Sequence, residues 1–406
     1  MTDVADVADV VISGAGVAGS TLAILLGRAG LRVRLFERHR FPRDKACAEY
    51  LSPATADALA RLGALAAVEA RGPQRPLGMH LIGRGGSRAL VRYPDGGSSR
   101  RALCLSRRVL DATLLEHARE AGVRVLEGQQ VRGVAAAAGG ATVEVRPVDG
   151  PLGRHRRLTA SLLVGADGTR SVVSRSLGLD RRVIWPRRVG MIAHVRGVEG
   201  LETYGEMYAG RGAYCGLAPL PEGETNVGLV MDAAVAAAAG GLEAAYAAGL
   251  ARLPGAAARL AGTERAGPVR GVAPLARRVS RPYADGVLLV GDAAGFLDPF
   301  TGEGVFRALR GAELAAAAAA TALSRGDVSA PALAPYAAAR REEFRAKEAV
   351  CLLIQGFLLC PPLLGYALRR LERRRRSGDL LGGVLGDYRP AGDALRPAFL
   401  WSLLRP

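Results

Sequence analysis

Gly14-Ala15-Gly16-Val17-Ala18-Gly19 is the first run in this 406-residue chain whose spacing implies chemistry. It is a G-x-G-x-x-G loop between an apolar run, 7–13, and a helical pattern, 17–29. Gly14 permits a tight turn, Gly16 lets the backbone approach a pyrophosphate, and Gly19 lets helix and strand pack closely. Glu37 ends the next strand-like run, where a carboxylate accepts both ribose hydroxyls of an adenosine. Loop and carboxylate together predict a dinucleotide site. They do not separate FAD from NAD, since both carry ADP.

Two later segments repeat the pattern of a strand end followed by a turn. They are Val164-Gly165-Ala166-Asp167-Gly168 and Val290-Gly291-Asp292-Ala293-Ala294, the second leading into Pro299-Phe300-Thr301-Gly302-Glu303-Gly304. Ligands of α/β folds sit at such strand ends. An aspartate between an apolar strand and small residues, as at Asp292, requires a buried partner. Asp167 also reads as a helix cap, Arg107 as a surface residue beside Arg108, and Cys47 as a small buried hydrophobe.

The elements around these residues follow from periodicity. Residues 7–13, 17–29 and 31–37 predict one βαβ unit, and 107–121 an amphipathic helix. Runs at 123–127, 131–136, 141–147 and 158–165 predict an antiparallel meander beside the parallel sheet. A buried strand returns at 287–295, followed by an Ala-rich helix around 303–323, and the tail from 333 is helical. Its 349–368 stretch has one polar side chain in twenty residues. Pro361-Pro362 inside it predicts a packed helix pair rather than a membrane span.

Composition narrows the class. With 49% hydrophobic and 23% charged residues the chain is no disordered polypeptide. Its net charge of +17 comes from scattered arginines, clustered only at Arg369–Arg370 and Arg373–Arg376. No basic stripe interleaves with aromatics, so nucleic acid is not an expected partner. Five cysteines without C-x-x-C spacing argue against disulfides, zinc and iron–sulfur clusters, and no metal is expected. The N-terminus has no basic n-region, so the expected compartment is cytoplasmic.

With three motifs in this order, the sequence over about residues 8–335 resembles the FAD-dependent oxidoreductases of the aromatic-hydroxylase type, and within them the geranylgeranyl-reductase-like branch. The resemblance implies FAD as cofactor. It places Asp292, with Gly291, on the ribityl chain, Asp167 and Gly168 near the pyrophosphate, and Arg107 of R-x-x-L-D on the ribityl–phosphate arm. Pro299, Gly302 and Gly304 would meet the flavin's N1/C2=O edge, where a helix N-terminus stabilises the reduced anion. Phe41–Pro53 looks like that branch's P-R-x-K-x-C-G-x-x-L-S-P loop, which makes Arg43, Lys45, Cys47 and Glu49 site candidates, with Ala48 in place of a usual glycine. Tyr214-Cys215-Gly216-Leu217-Ala218-Pro219 looks like its Y-x-W-x-x-P stretch. There Gly216 replaces tryptophan and suggests a roomier pocket. Cys47, Glu49 and Tyr214 are the catalytic candidates, and His80 and His194 lie in the expected substrate region. The W-x-W-x-I-P signature of flavin halogenases is absent.

The expected fold is α/β: a doubly wound, Rossmann-like FAD-binding domain of the glutathione-reductase, hydroxylase-like type from 1–75, 101–180 and 285–335. Residues 76–100 and 181–284 would form an antiparallel substrate sheet, and 336–406 a helical C-terminus. The leading expectation is a monooxygenase that hydroxylates or epoxidises a hydrophobic, electron-rich small molecule through a flavin C4a-hydroperoxide. O2 would be its co-substrate, NAD(P)H the external reductant, and natural-product biosynthesis its setting. The alternative is a reductase or dehydrogenase of C=C or C–C bonds. A basic segment beside an apolar one also leaves weak membrane-surface contact through the C-terminus open.

Overall fold

Ala8–Ser13 is apolar on both sides because it is the middle strand of a parallel sheet. In the computed structural model, which describes residues 8–93, 100–149 and 155–404, the parallel order is Val287–Leu289, Arg156–Gly165, Ala8–Ser13, Val33–Glu37, Arg124–Glu127. Val7 of the first expected strand and residues 94–99 of the expected 76–100 segment lie outside the described residues.

Strand side chains alternate, and the two faces receive different covers. Val10 and Ile12 pack beneath the helices Val17–Arg28, Arg107–Glu120 and Gly304–Ser324, against Leu22, Leu114 and Ala312. Val11 and Phe36 face the other way and meet Val131, Val143 and Val145 of the meander. Arg156–Gly165 serves both layers. Its first half pairs antiparallel with Gly140–Pro147 and its second half parallel with Ala8–Ser13. The meander therefore folds over the sheet instead of beside it. This corrects the doubly wound expectation, because strands occupy most of the face where a second helical layer would lie.

A second sheet runs Glu264–Arg265, Arg188–Arg196, Glu224–Asp232, Ala213–Pro219, Gly205–Gly210, Gly78–Ile82, Arg88–Arg92. It is antiparallel as expected except at one join, where Gly205–Gly210 runs parallel to Gly78–Ile82. Cys215, Leu217 and Leu229 pack with Ala245 and Tyr246 of the helix Leu242–Ala251. Met207, Tyr214 and Val230, on the opposite face, meet the C-terminal helices.

Those helices begin with Ala330–Leu359. At Cys360 the chain turns by 117° into Pro361–Arg373, whose first residue is a proline. Proline suits a first helical position, so the Pro-Pro pair starts a new helix rather than kinking an old one. No single helix among the described residues is long and apolar enough to cross a membrane. Arg375–Leu385 then lies on Arg88–Arg92, where a side chain at Gly382 would overlap the Arg92 carbonyl.

Candidate active site

Three strand ends meet edge to edge. Gly14, at φ +103°, would place a Cβ 2.6 Å from the Ala166 carbonyl oxygen, and one at Gly291 would stand 2.8 Å from Ala18 Cβ. Ala166 N–H donates to Ser13 O at 2.8 Å and Val290 N–H to Gly165 O at 2.9 Å. A Cβ at Gly19 would overlap the Gly14 carbonyl. Gly16 differs: its Cβ would meet only Arg43 Nη2, at 3.8 Å. Two glycines of the loop are thus required for packing, and one opens onto a cleft beside a guanidinium. Glu37 is buried and braces this loop, Oε2 accepting from Ala15 N–H at 2.9 Å and Oε1 from His39 N–H at 2.9 Å. Each oxygen keeps acceptor capacity for a ribose hydroxyl.

Arg107 opens the helix Arg107–Glu120 behind a Ser106 cap and is buried rather than at the surface. Its guanidinium donates to Asp111 Oδ1 and Oδ2 at 2.7 and 2.8 Å, one helical turn on. Arg43 Nη1 lies 3.1 Å from the same carboxylate, its guanidinium stacked over Phe41 at 4.6 Å. Burial works against the Arg107 charge, but Asp111 and Cys47 together outweigh it and raise the pKa. Asp111 was not among the expected site residues, although the i, i+4 spacing from Arg107 is visible in the sequence.

Asp167 does act as a cap. Its Oδ2 accepts from Val172 N–H at 2.7 Å, while Oδ1 is buried without a partner and desolvation raises its pKa. Gly168 follows at φ +77°. Asp292 departs from the expected burial: 29% of its side chain is exposed, and Lys45 Nζ stands 3.9 Å away. Although 39% of Lys45 is exposed, desolvation in the cleft, then Arg107 beside it, lowers its pKa.

The Pro299–Gly304 turn is held from behind. Asp298 Oδ1 accepts from Phe300 N–H at 3.0 Å and from the Tyr214 hydroxyl at 2.5 Å. Gly302, at φ +69°, closes the turn by donating to Pro299 O at 2.9 Å. Glu303 is buried beside Arg307 and Lys347, and Lys347 Nζ donates to Val384 O at 2.6 Å and Asp387 Oδ1 at 2.5 Å. Gly304 then begins the long helix. Tyr214 is buried, its hydroxyl occupied by Asp298 and its ring edge-on to Phe300 at 5.0 Å. It sits behind the turn rather than at a reacting centre, so the catalytic expectation for it is replaced by a positioning one.

The Cys47 loop crosses to the second sheet. Glu49 Oε1 accepts from Arg107 N–H at 2.7 Å, and Oε2 lies 2.7 Å from His194 Nε2 and accepts from Asn226 Nδ2 at 2.8 Å. Asn226 Nδ2 also donates to Cys47 O at 2.9 Å, and the Cys47 thiol lies against Arg107. The positive φ of this loop falls at Glu49 (+55°) and not at Ala48, which stands where the family usually has glycine. His194 joins the cluster, whereas His80 turns away to meet Tyr204 edge-on at 5.2 Å.

Between loop and turn lies an apolar chamber. Ala48, Tyr50, Met79 and Met207 form one side, and Phe300 and Gly302 the other. No charged side chain lines it. Tyr93 Oη donates to Tyr50 Oη at 3.3 Å, and Tyr50 Oη to Gly78 O at 2.8 Å. Gly216 does not enlarge it as expected, because Met207 Cε lies 3.3 Å from where a Cβ would stand.

An open cradle at Gly16, an unpartnered Asp167 Oδ1, an Asp292 carboxylate held among the described residues only by a long ion pair, and an apolar chamber at the far end fit a dinucleotide whose ring reaches that chamber. Such a fold and cleft define a FAD-dependent oxidoreductase. A family model described as an FAD binding domain matches residues 7–350, and the chain belongs to that family. Over 323 residues the chain is 31% identical to a menaquinone reductase of Mycolicibacterium smegmatis, covering 76% of this chain and 75% of that protein. It is 29% identical to a digeranylgeranylglycerophospholipid reductase of Methanothrix thermoacetophila, covering 82% and 83%. Among solved structures, a flavoprotein/dehydrogenase from Cytophaga hutchinsonii superposes with a TM-score of 0.82 at 23% identity, covering 94% of this chain and 93% of that one. The flavin-dependent halogenase CmlS gives 0.75 at 26%, covering 84% and 63%.

Proposed function

We propose that the protein is an FAD-dependent reductase that saturates a carbon–carbon double bond of a hydrophobic, prenyl-type substrate. The observation that carries this is the Glu49–His194–Asn226 cluster behind the Cys47 loop, because saturating C=C takes a proton as well as a hydride. Bound FAD, reduced by NAD(P)H or a reduced carrier, supplies the hydride. The π bond breaks and two C–H bonds form. Cys47 would present the thiol that gives the proton, and the adjoining Glu49–His194 pair, with His194 12% exposed, would hold the proton in reserve on the solvent side. Arg43, Lys45, Asp167, Gly168 and Asp292 bind the cofactor's phosphate and ribityl portions, Glu37 its ribose. Gly304, the first residue of the long helix, would present its backbone N–H to the ring, on the turn that Gly302 closes. Relatives named for reduction of menaquinone and of a digeranylgeranyl phospholipid support this reading.

Oxygen transfer by a monooxygenase is the second reading, favoured by the uncharged, apolar lining of the chamber at the turn, which would disfavour water at the reacting centre. One experiment separates the two. The FAD-loaded protein is reduced without oxygen and mixed anaerobically with a geranylgeranyl lipid. Flavin reoxidation with a gain of two hydrogens in the product supports the reductase. Product appearing only on admission of oxygen, heavier by one oxygen atom, overturns it in favour of the monooxygenase.

A further inference from the structure

The C-terminal helices carry two opposed stripes, and only one is used by the site. On the inner side of Ala330–Leu359, Lys347, Cys351, Gln355 and Leu358 are buried. Lys347 reaches Glu303, and the Cys351 thiol lies 3.9 Å from Asp298 O, so this stripe holds the turn. On the outer side, Leu352 and Leu359, two turns apart, are 44% and 58% exposed, and Leu363 just past the bend is 37% exposed. Trp401, on the helix Pro397–Leu404 that packs against Pro361–Arg373, is 62% exposed. These four are half of the eight large apolar side chains exposed among the described residues, which makes the bend an apolar tip rather than scattered surface.

Positive charge follows the tip. Pro361–Arg373 is about 20 Å long at 1.5 Å per residue. Pro362, Arg369 and Arg373 recur at helical spacing on its exposed side, and Arg375 and Arg376 open the next helix, also exposed. None of these four arginines has a carboxylate partner among the described residues. The acidic residues nearby are neutralised from the sheet: Glu372 by Arg88 at 3.3 Å and Asp379 by Arg92 at 3.0 Å. What remains is apolar side chains at a bend and unpaired cations along the helix leaving it.

We propose that this bend docks the protein on an anionic lipid bilayer surface, the leucines entering the acyl boundary and the arginines meeting the headgroups. Trp401 has the amphipathic ring that settles at such an interface. A second copy of the chain is the poorer occupant. A two-fold contact brings the same patch against itself, and here it would set four unpaired arginines against four more. The family match ends at residue 350, so the docking element lies beyond it. The proposal does not depend on which reaction the flavin performs.

Flotation of the FAD-loaded full chain with phosphatidylcholine vesicles, and with vesicles also containing phosphatidylglycerol, tests it at low and high salt. Binding to the anionic vesicles, weakened by salt, is expected. Each arginine contributes about fivefold to partitioning, so R369Q/R373Q/R375Q/R376Q loses nearly three orders of magnitude. L352S/L359S/L363S loses the binding that survives high salt. Retained flavin absorbance certifies that both variants fold. Equal binding to neutral and anionic vesicles, no binding at all, or unchanged binding by either variant overturns the proposal. So does light scattering that finds a dimer dissociated by the leucine variant, since the patch is then a contact between copies.

Discussion

Glu49 and His194 are 145 residues apart in the chain and 2.7 Å apart at Oε2 and Nε2. One comes from the cofactor side and the other from the second sheet, so the pair couples the two sheets as well as the proton chemistry. The hydrogen bond to Glu49 raises the His194 pKa, against the desolvation that would lower it. A raised pKa means stability fully present below the ordinary value of 6.5 and lost as pH rises through the higher folded value. The Tm difference between the wild type and His194→Gln is therefore expected to be largest below pH 6.5 and to shrink on the alkaline side. A difference that stays constant with pH would mean that the pair stays unprotonated throughout.

Asp111→Asn strips the shared carboxylate from two arginines. Asp111 is fully buried and Arg107 nearly so, and an uncompensated buried charge costs about 3–5 kcal/mol. Urea denaturation should show a loss of that size, together with weaker FAD retention. A loss under about 1 kcal/mol would show that Arg43 and Arg107 find other partners or water.

Gly16→Ala and Gly19→Ala are expected to separate binding from folding. At Gly16 a methyl group meets nothing nearer than 3.8 Å, so the protein should fold at nearly the wild-type Tm but bind FAD poorly, because the methyl faces the phosphate path. At Gly19 it collides with the Gly14 carbonyl, so thermal stability itself should fall. Flavin fluorescence and a melt of the cofactor-free proteins read the two effects separately.

Tyr214→Phe removes the hydroxyl that donates to the buried Asp298. Desolvation raises the Asp298 pKa before Tyr214 and Arg188 counter it, so losing Tyr214 should push it higher and cost about 1–3 kcal/mol. The chamber lining is untouched, so urea stability should drop while the visible spectrum of bound flavin shifts only slightly. An unchanged midpoint would show that the Pro299–Gly302 turn stands without this support.

What the sequence made legible were requirements met within a few residues. Gly14 sits at φ +103° with a carbonyl behind it, so the residue type itself announces the turn. The same holds for Gly302, and for the strand ends carrying Asp167 and Asp292. Relations set by distant side chains were not legible. Nothing in 205–210 announces that it pairs parallel to 78–82. Val131 and Val143 announce that they will be covered, not that they will cover Phe36. Tyr214 read as a catalytic candidate because only the third dimension shows Asp298 waiting for its hydroxyl. His194 looked like a lone histidine until Glu49 and Asn226 came to it from elsewhere in the chain.

The chain has only two lysines among its 55 basic residues, and both stand at cofactor turns, Lys45 near Asp292 and Lys347 beneath Glu303. An amine-selective reagent therefore finds almost nothing else to acylate apart from the α-amino group. Lys45 is 39% exposed and open to attack, whereas Lys347 at 6% is shielded until the C-terminal helices lift from the turn. Acylation of Lys45 in a mass spectrum reports whether the cleft is filled, and acylation of Lys347 reports how often the back of the site opens.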